Sequence, residues 1–171
     1  MIYTAQHVDA ASIQTFDVLG PTVEVLTPPG PDDHSPALLR GTIPPGGVVP
    51  LHSHPDPETF VAVSGELDGL IEAIDGFAWV PISPGDVFLV PGGAKHAFRN
   101  RGPEPAVSIV LTMTKHARFF QEVGTPARPG DARTKPPSTE TLARFFAVCE
   151  RYGYWNAGAE ENARIGIELA T

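Results

Sequence analysis

Short apolar runs separated by turn-forming residues occupy the chain from about Thr22 to Met113. Runs of this length with Gly and Pro between them are typical of a β-sandwich or β-barrel. The pattern predicts nine strands: Val23–Leu26, Ala37–Ile43, Val48–His54, Thr59–Val63, Leu67–Ile74, Phe77–Ile82, Asp86–Val90, Lys95–Arg99 and Val107–Met113.

The residues between these runs predict tight reversals. Asp75-Gly76 lies between two apolar runs and indicates a two-residue hairpin with a type I′ turn, which requires positive φ angles that Gly tolerates. Ser83–Asp86 and Pro91–Gly93 mark two further turns. Consecutive hairpins favour an antiparallel sheet that must close or stack to hide its edges.

After Met113 the pattern changes from strand-like to helical. Ala117–Val123 predicts a short helix, and Gly124 to Pro137 is a polar, Pro-rich connection. A second helix is expected with Ser138 as its N-cap and Gly153 as its stop, because apolar residues between them repeat at helical spacing. Its apolar face requires a partner, either the barrel exterior or a second subunit.

The chain has no internal repeat, so we expect one all-β domain over residues 1–171. Its barrel core spans about 20–114, and a helical C-terminal extension spans about 115–171. At 171 residues with 42% hydrophobic residues the chain can bury a core without covalent staples. The 19 prolines and 17 glycines are spread between the apolar runs and fit turns in a β-rich fold.

Charge and composition limit the classes of partner and the cellular location that the sequence favours. The net charge of −8 and the lack of a basic stripe argue against a nucleic-acid partner. No apolar run approaches the roughly 20 residues that span a bilayer, and the N-terminus does not resemble a signal peptide, so a cytoplasmic protein is expected.

Cys149 lies among apolar residues at helical spacing and is expected to be a buried, inert thiol. Exposed strand edges and the apolar helix favour a homodimer.

Histidines carry the candidate chemistry. His52 and His54 are two residues apart on a predicted strand, so both side chains project from the same face. The segment Pro55–Pro57 cannot continue a regular ladder, and the bend that it makes can return Glu58 to the same interior. His96 comes from a distant hairpin, as expected of a site assembled across a barrel.

Three imidazoles and one carboxylate form a mixed nitrogen and oxygen ligand set. This set suits Fe, Mn, Ni, Co, Cu or Zn as a divalent ion better than Ca²⁺ or Mg²⁺, which prefer oxygen ligands throughout. Four protein ligands on an octahedral ion leave two positions for water, dioxygen or a chelating substrate. A metal with open positions indicates a reactive site and not a structural clip.

Two motifs in the same region resemble those of the cupin superfamily. Gly46-x5-His52-x-His54-x3-Glu58-x6-Gly65 has the spacing of the first cupin motif, and Gly85-x5-Pro91-x-Gly93-x2-His96-x3-Asn100 has that of the second, with 19 residues between them. The resemblance implies a cupin barrel, that is, a double-stranded β-helix of the jelly-roll type. It assigns His52, His54, Glu58 and His96 as the metal ligands.

Strand alternation extends the site to a possible substrate pocket. Side chains that share a face with Glu58, His96 or His52 should line the same interior. A small, partly aromatic or aliphatic ligand would fit an apolar cavity with a metal at one end. The residues expected to line it are Val48, Pro50, Phe60, Ala62 and Phe98.

The remaining polar residues receive structural or surface roles. His7 and His34 lie in polar or Pro- and Gly-rich surroundings and are expected to be solvated. His116, beside charged neighbours, is expected on a helix surface. Alternation points Lys95 away from the metal, and Asn100 is expected to tie down a turn.

A looser resemblance, over about residues 37–124, is to quercetinase-type cupins. It rests on Ala97–Ala106 and Phe119–Gly124, and the C-terminal helix does not match that family's motifs. It implies an oxygen-dependent dioxygenase acting on a small enol-containing or phenolic compound, with Glu58 as ligand and proton acceptor. Two alternatives stay open: an oxygen-independent, metal-assisted isomerase, lyase or cyclase, and a non-catalytic cupin that binds a small molecule.

Overall fold

Antiparallel strands form most of the computed structural model, which describes residues 4–28, 30–128 and 137–169. A single 3₁₀ turn, Ala10–Ser12, precedes them in the described ranges. The strands are β1 (Thr15–Asp17), β2 (Thr22–Val25), β3 (Pro36–Ile43), β4 (Val48–Ser53), β5 (Glu58–Ser64), β6 (Leu67–Ala73), β7 (Gly76–Ile82), β8 (Val87–Val90), β9 (His96–Arg99), β10 (Ala106–Met113), β11 (Thr125–Ala127) and β12 (Trp155–Asn156). The α-helices are α1 (Thr114–Val123), α2 (Thr139–Tyr152) and α3 (Ala159–Arg164).

The strands form two antiparallel sheets. The first has the order β11-β1-β2-β3-β10-β5-β8, and the second has the order β12-β4-β9-β6-β7. The main core lies between the sheets, because its buried side chains come from both: Ile43, Ala62, Phe88, Val90 and Ala106 from the first sheet, and Leu67, Ile82 and Phe98 from the second. The expected all-β, jelly-roll cupin fold with a C-terminal helical extension is confirmed.

The nine expected strands are all present, each with both ends within one residue of the sequence-based bounds. The hairpin after β6 is also confirmed, although its turn differs. Ala73 pairs with Gly76, so the two turn residues are Ile74 and Asp75. The type I′ prediction is wrong, because it requires positive φ at both, and among the described non-glycine residues only Leu19 has one.

The C-terminal extension is more closely joined to the barrel than its helical pattern indicates. Helix α2 begins after the Ser138 N-cap and ends at Gly153, as expected, and it packs on α1 of the same chain through Val148 and Cys149. Burial raises the pKa of the Cys149 thiol, in agreement with an inert side chain. The expected loop after Gly124 instead begins with β11, which pairs with β1, while residues 129–136 lie outside the described ranges.

The last part of the chain covers the outer face of the second sheet. Strand β12 pairs with β4 and forms the edge of this sheet, and the Leu51 amide donates a 2.9 Å hydrogen bond to Asn162 Oδ1. Ala157 and Ile167 pack there against Leu51 and Ala97. The extension therefore adds a strand directly beside His52.

Within the described ranges no helix has the length and apolar character needed to cross a membrane. The expected cytoplasmic location, the homodimer and the single domain over residues 1–171 stay predictions.

Candidate metal centre

His52 and His96 face each other across two neighbouring strands. They form a direct register pair of β4 and β9, and their ring centroids are 4.1 Å apart. His54 follows directly after β4, with its ring centroid 5.5 Å from that of His52 and 5.1 Å from that of His96. His54 and His96 are almost completely buried. The structure thus brings together the three histidines that the sequence analysis singled out.

Backbone carbonyls orient all three rings in the same way. Nδ1 of His52 donates to the Pro50 carbonyl at 2.8 Å, because a carbonyl oxygen can only accept. Nδ1 of His54 donates to the Asp56 carbonyl at 2.8 Å, and Nδ1 of His96 donates to the Ala94 carbonyl at 3.0 Å. A ring whose Nδ1 carries the hydrogen presents the lone pair of Nε2, which is the arrangement typical of metal-ligating histidines.

Glu58 closes the cluster from the opposite sheet. It is the first residue of β5, is 6% exposed, and places Oε2 at 3.1 Å from His54 Nε2 and 3.4 Å from His96 Nε2. Two atoms that each lie about 2.1 Å from one ion and at right angles to each other are about 3.0 Å apart. The spacing therefore matches adjacent ligands of a transition metal.

Two ring nitrogens in this cluster lack ordinary partners. The buried Nε2 atoms of His54 and His96 make no well-aligned hydrogen bond with any described residue. Buried polar atoms without partners are rare because desolvation costs about 1–3 kcal/mol each. A shared cation would satisfy both, and so the residues fit the divalent transition metal that the motifs imply.

The protonation of the metal-free site follows from burial and from Glu58. Burial, with the neighbouring rings of His96 and His54, holds the pKa of His52 well below its usual value, so this ring is neutral and free to bind a metal. Burial also acts to lower the pKa of His54, but the Glu58 carboxylate outweighs it and raises the pKa. Burial would raise the pKa of Glu58, yet contacts with His116, His54 and His96 hold it well below its usual value.

His116 belongs to the site, which contradicts its expected place on a helix surface. It is 3% exposed, and its Nε2 lies 3.2 Å from Glu58 Oε1. Charged neighbours in the sequence suggested solvent, but His116, Phe119, Phe120 and Val123 follow the i, i+3, i+4, i+7 spacing of one helix face. That spacing was the signal that could have placed His116 on the inner face of α1.

The expected pocket residues divide between the core that lies between the two sheets and the outer face of the second sheet. Ala62 and Phe98 belong to the core between the sheets, and Phe60 packs against it with its ring 4.6 Å from that of Phe98. Val48 is a wrong assignment, because it packs on the outer face with the C-terminal extension, while Val49 contacts the inner core.

A register irregularity between Val49 and His52 explains this exchange. It shifts the alternation in β4, so that Val49 pairs with Phe98 while His52 pairs with His96. Pro50 lies within the irregular stretch and is half-buried, and its carbonyl orients His52.

The other polar assignments agree with the structure. His7 and His34 are exposed. Lys95 lies over the Trp155 ring at 4.3 Å, away from the histidines. Asn100, 1% exposed, donates to the carbonyls of Ile43 and Glu104 and accepts from the Gly102 amide, so it ties down the loop before β10.

Acidification is expected to destabilise the metal-free protein between pH 6.5 and 4.5. Burial lowers the pKa of His52 and of His116, so the unfolded chain binds more protons than the folded one below 6.5. The raised pKa of His54 acts above 6.5 and the lowered pKa of Glu58 below 4.5. The free energy of unfolding should fall by up to about 1.4 kcal/mol per pH unit for each of the two buried rings.

Chemical denaturation of chelator-treated protein across this range measures the slope. The double variant His52→Gln, His116→Gln should flatten it, whatever its stability at neutral pH. A wild-type protein whose stability does not change between these pH values would contradict the assignment.

A two-sheet antiparallel jelly roll with a histidine and glutamate cluster between its sheets defines the cupin class of β-barrel proteins. Residues 39–112 match the family model described as the cupin domain, a range that runs from β3 to β10 and contains all four motif residues of the cluster. Through these residues the chain belongs to the cupin superfamily.

Curated relatives include germin-like proteins. Germin-like protein subfamily 2 member 1 from Arabidopsis thaliana is 31% identical over 134 residues, which cover 77% of this chain and 59% of that protein. The rhicadhesin receptor of Pisum sativum is 34% identical over 132 residues, which cover 73% of this chain and 61% of that protein. The chain spans about half of the length of the curated relatives that it matches.

Solved structures support the same fold at lower sequence identity. An RmlC-like cupin from Shewanella frigidimarina has a TM-score of 0.55 at 16% identity and covers 68% of this chain and 96% of its own. The polyketide cyclase RemF from Streptomyces resistomycificus has a TM-score of 0.56 at 14% identity and covers 85% of this chain and 99% of its own. At such identities the likeness concerns the fold alone.

Proposed function

We propose that this cupin is a metal-dependent dioxygenase that acts on a small enol-containing or phenolic compound. Its metal ligands are His52, His54, His96 and Glu58. The observation that carries the proposal is the pair of buried Nε2 atoms, of His54 and His96, that lack partners among the described residues and lie beside one carboxylate oxygen. One divalent transition ion would satisfy these atoms together.

The bound metal would supply open coordination positions at which dioxygen and the oxygens of a substrate meet. Glu58 is the carboxylate of this site that can accept the proton that an enol or phenol releases, and its lowered pKa means that it is ionised in the metal-free protein. Phe60 and Phe98 form an apolar wall next to His96, whose ring centroid is 5.8 Å from that of Phe98. An apolar wall beside polar ligands suits a small aromatic or aliphatic compound.

Oxygen uptake tests this proposal. Chelator-treated protein is reloaded separately with Fe, Mn, Co, Ni and Cu, and an oxygen electrode follows each form with a panel of small enols and phenols. At least one form should consume oxygen about 100-fold faster than the same form of the His96→Ala variant, because the ligand set is then incomplete. If no metal supports uptake with any compound, the dioxygenase proposal is wrong.

A second candidate is an oxygen-independent isomerase, lyase or cyclase. The contact of 3.2 Å between Glu58 Oε1 and His116 Nε2 favours it, because a carboxylate beside an imidazole can pass on a proton that it takes from substrate. Turnover that persists at the same rate under strict anaerobiosis would favour this candidate over the dioxygenase. Tight binding of a compound without any product would instead support a non-catalytic, small-molecule-binding cupin.

A further inference from the structure

Glu58 has contacts beyond the three ligating histidines. Its Oε2 atom faces His54 and His96, whereas its Oε1 atom faces the Nε2 atom of His116. The carboxylate therefore has imidazole nitrogens beside both of its oxygens, those of His54 and His96 at Oε2 and that of His116 at Oε1. A ligand held in this way has a fixed orientation before the metal arrives.

A network of buried polar groups continues from His116. Its Nδ1 atom lies 2.9 Å from the Tyr154 hydroxyl, which donates a 2.8 Å hydrogen bond to the Asp56 carboxylate. All four members are less than 10% exposed. Phe119 and Phe120 pack around the His116 ring, with centroid distances of 5.9 and 4.5 Å. Polar groups in such surroundings are costly unless they bind one another, so each member depends on the next.

This network of polar groups connects four separate parts of the fold. Glu58 begins β5, Asp56 lies in the bend between β4 and β5, His116 lies on α1, and Tyr154 follows α2. Tyr154 also packs with Val148 and Cys149 of α2, so the C-terminal extension holds its ring in place. The extension thereby supplies a hydroxyl to a network that ends on a metal ligand.

We infer that His116, Tyr154 and Asp56 are positioning residues that hold Glu58 in its ligating orientation and couple the metal centre to the C-terminal extension. The inference rests on the proposed metal site but not on the proposed reaction. Groups that orient metal ligands typically contribute about 10- to 100-fold to metal affinity. Because coupling between two equilibria is reciprocal, a bound metal also stabilises the docked extension.

A pair of tyrosine variants tests this role. Tyr154→Phe removes the hydroxyl between His116 and Asp56. Tyr152→Phe is the matched control, since its hydroxyl belongs to the same extension but donates to Glu122 at the surface. Competition with a chromophoric chelator gives the affinity for Co²⁺, and visible absorption of the Co²⁺ form reports the ligand geometry.

Tyr154→Phe should weaken Co²⁺ binding about 10-fold and change the absorption bands, whereas Tyr152→Phe should change neither. If Tyr154→Phe folds poorly, Asp56→Asn provides the same test, because it keeps the size of the side chain and the backbone carbonyl that orients His54. It should shift the Co²⁺ affinity and the absorption bands in the same direction. Hydrogen exchange should show Co²⁺ protecting residues 139–156 in the wild-type protein and less so in Tyr154→Phe.

The outcomes separate this inference from the proposed function. Wild-type affinity and spectrum in both Tyr154→Phe and Asp56→Asn would overturn the positioning role and leave the metal site intact. A wild-type protein that binds no Co²⁺ would overturn both. Absence of oxygen uptake would affect only the proposed reaction, because none of these measurements depends on turnover.

Discussion

Replacing His96 with alanine is expected to abolish stoichiometric metal binding. The ring is 2% exposed, is held by the Ala94 carbonyl, and presents its Nε2 atom at 3.4 Å from Glu58 Oε2. Its removal takes one of four ligands and leaves an open, more hydrated position, so the affinity should fall by at least about 100-fold, more than the loss of an orienting group. Elemental analysis after equilibrium dialysis against one divalent metal at a time measures the loss.

The matched control for this variant is His34→Ala. His34 is exposed, so its removal should leave the metal content unchanged. A His96→Ala protein that still binds one metal ion per chain with wild-type affinity would contradict the proposed ligand set. Loss of metal from both variants would instead indicate adventitious binding by surface histidines.

Replacing Gly65 with alanine is expected to give the largest loss of stability at a motif glycine. Gly65 has a φ of +72°, and an added Cβ atom would lie 2.4 Å from the Pro105 carbonyl oxygen and 2.7 Å from the Ala106 Cα atom. These are backbone atoms at the start of β10, which pairs with β5, so they cannot move aside without disturbing the sheet. The free energy of unfolding should fall by about 3 kcal/mol or more, and the Tm by about 6–12 °C.

Gly46→Ala separates the loss of stability that comes from the close Cβ contact from the loss that comes from the left-handed backbone conformation. Gly46 has the same φ of +72°, but nothing lies within 4 Å of an added Cβ atom. This variant should lose only about 1–2 kcal/mol from the left-handed conformation. Thermal unfolding followed by circular dichroism compares the two metal-free proteins, and equal losses would mean that the close approach to Pro105 and Ala106 does not matter.

Local patterns in the sequence determined the elements of the barrel. Every expected strand is present within one residue, because alternation of side chains and turn-forming residues act over only a few positions. The same holds for α2, whose start at Ser138 and stop at Gly153 depend on capping groups beside the helix. The four motif residues of the cluster could also be named in advance, because their spacing along the chain is distinctive, and the structure brings them together.

Alternation failed where a strand is irregular. Alternation of side chains from His52 predicted that Val48 faces the core between the sheets. The irregularity between Val49 and His52 exchanges the two faces of the strand, so Val49 contacts that core instead. A bulge inserts one residue without an obligatory sequence signal, so counting along the chain cannot find it. The short strands β1, β11 and β12 were missed for a related reason, since two or three residues carry no periodicity and pair only because other strands present an edge.

The sequence by itself therefore determined the cupin barrel, the bounds of nine of its strands and the four side chains of the candidate metal cluster. Tertiary structure alone decided that His116 faces Glu58 and that Tyr154, 98 residues from Asp56, donates to it. The physical reason is distance along the chain. Periodicity and capping act within a few residues, whereas a buried polar network depends on how separate elements pack, and that packing is settled only when the whole chain folds.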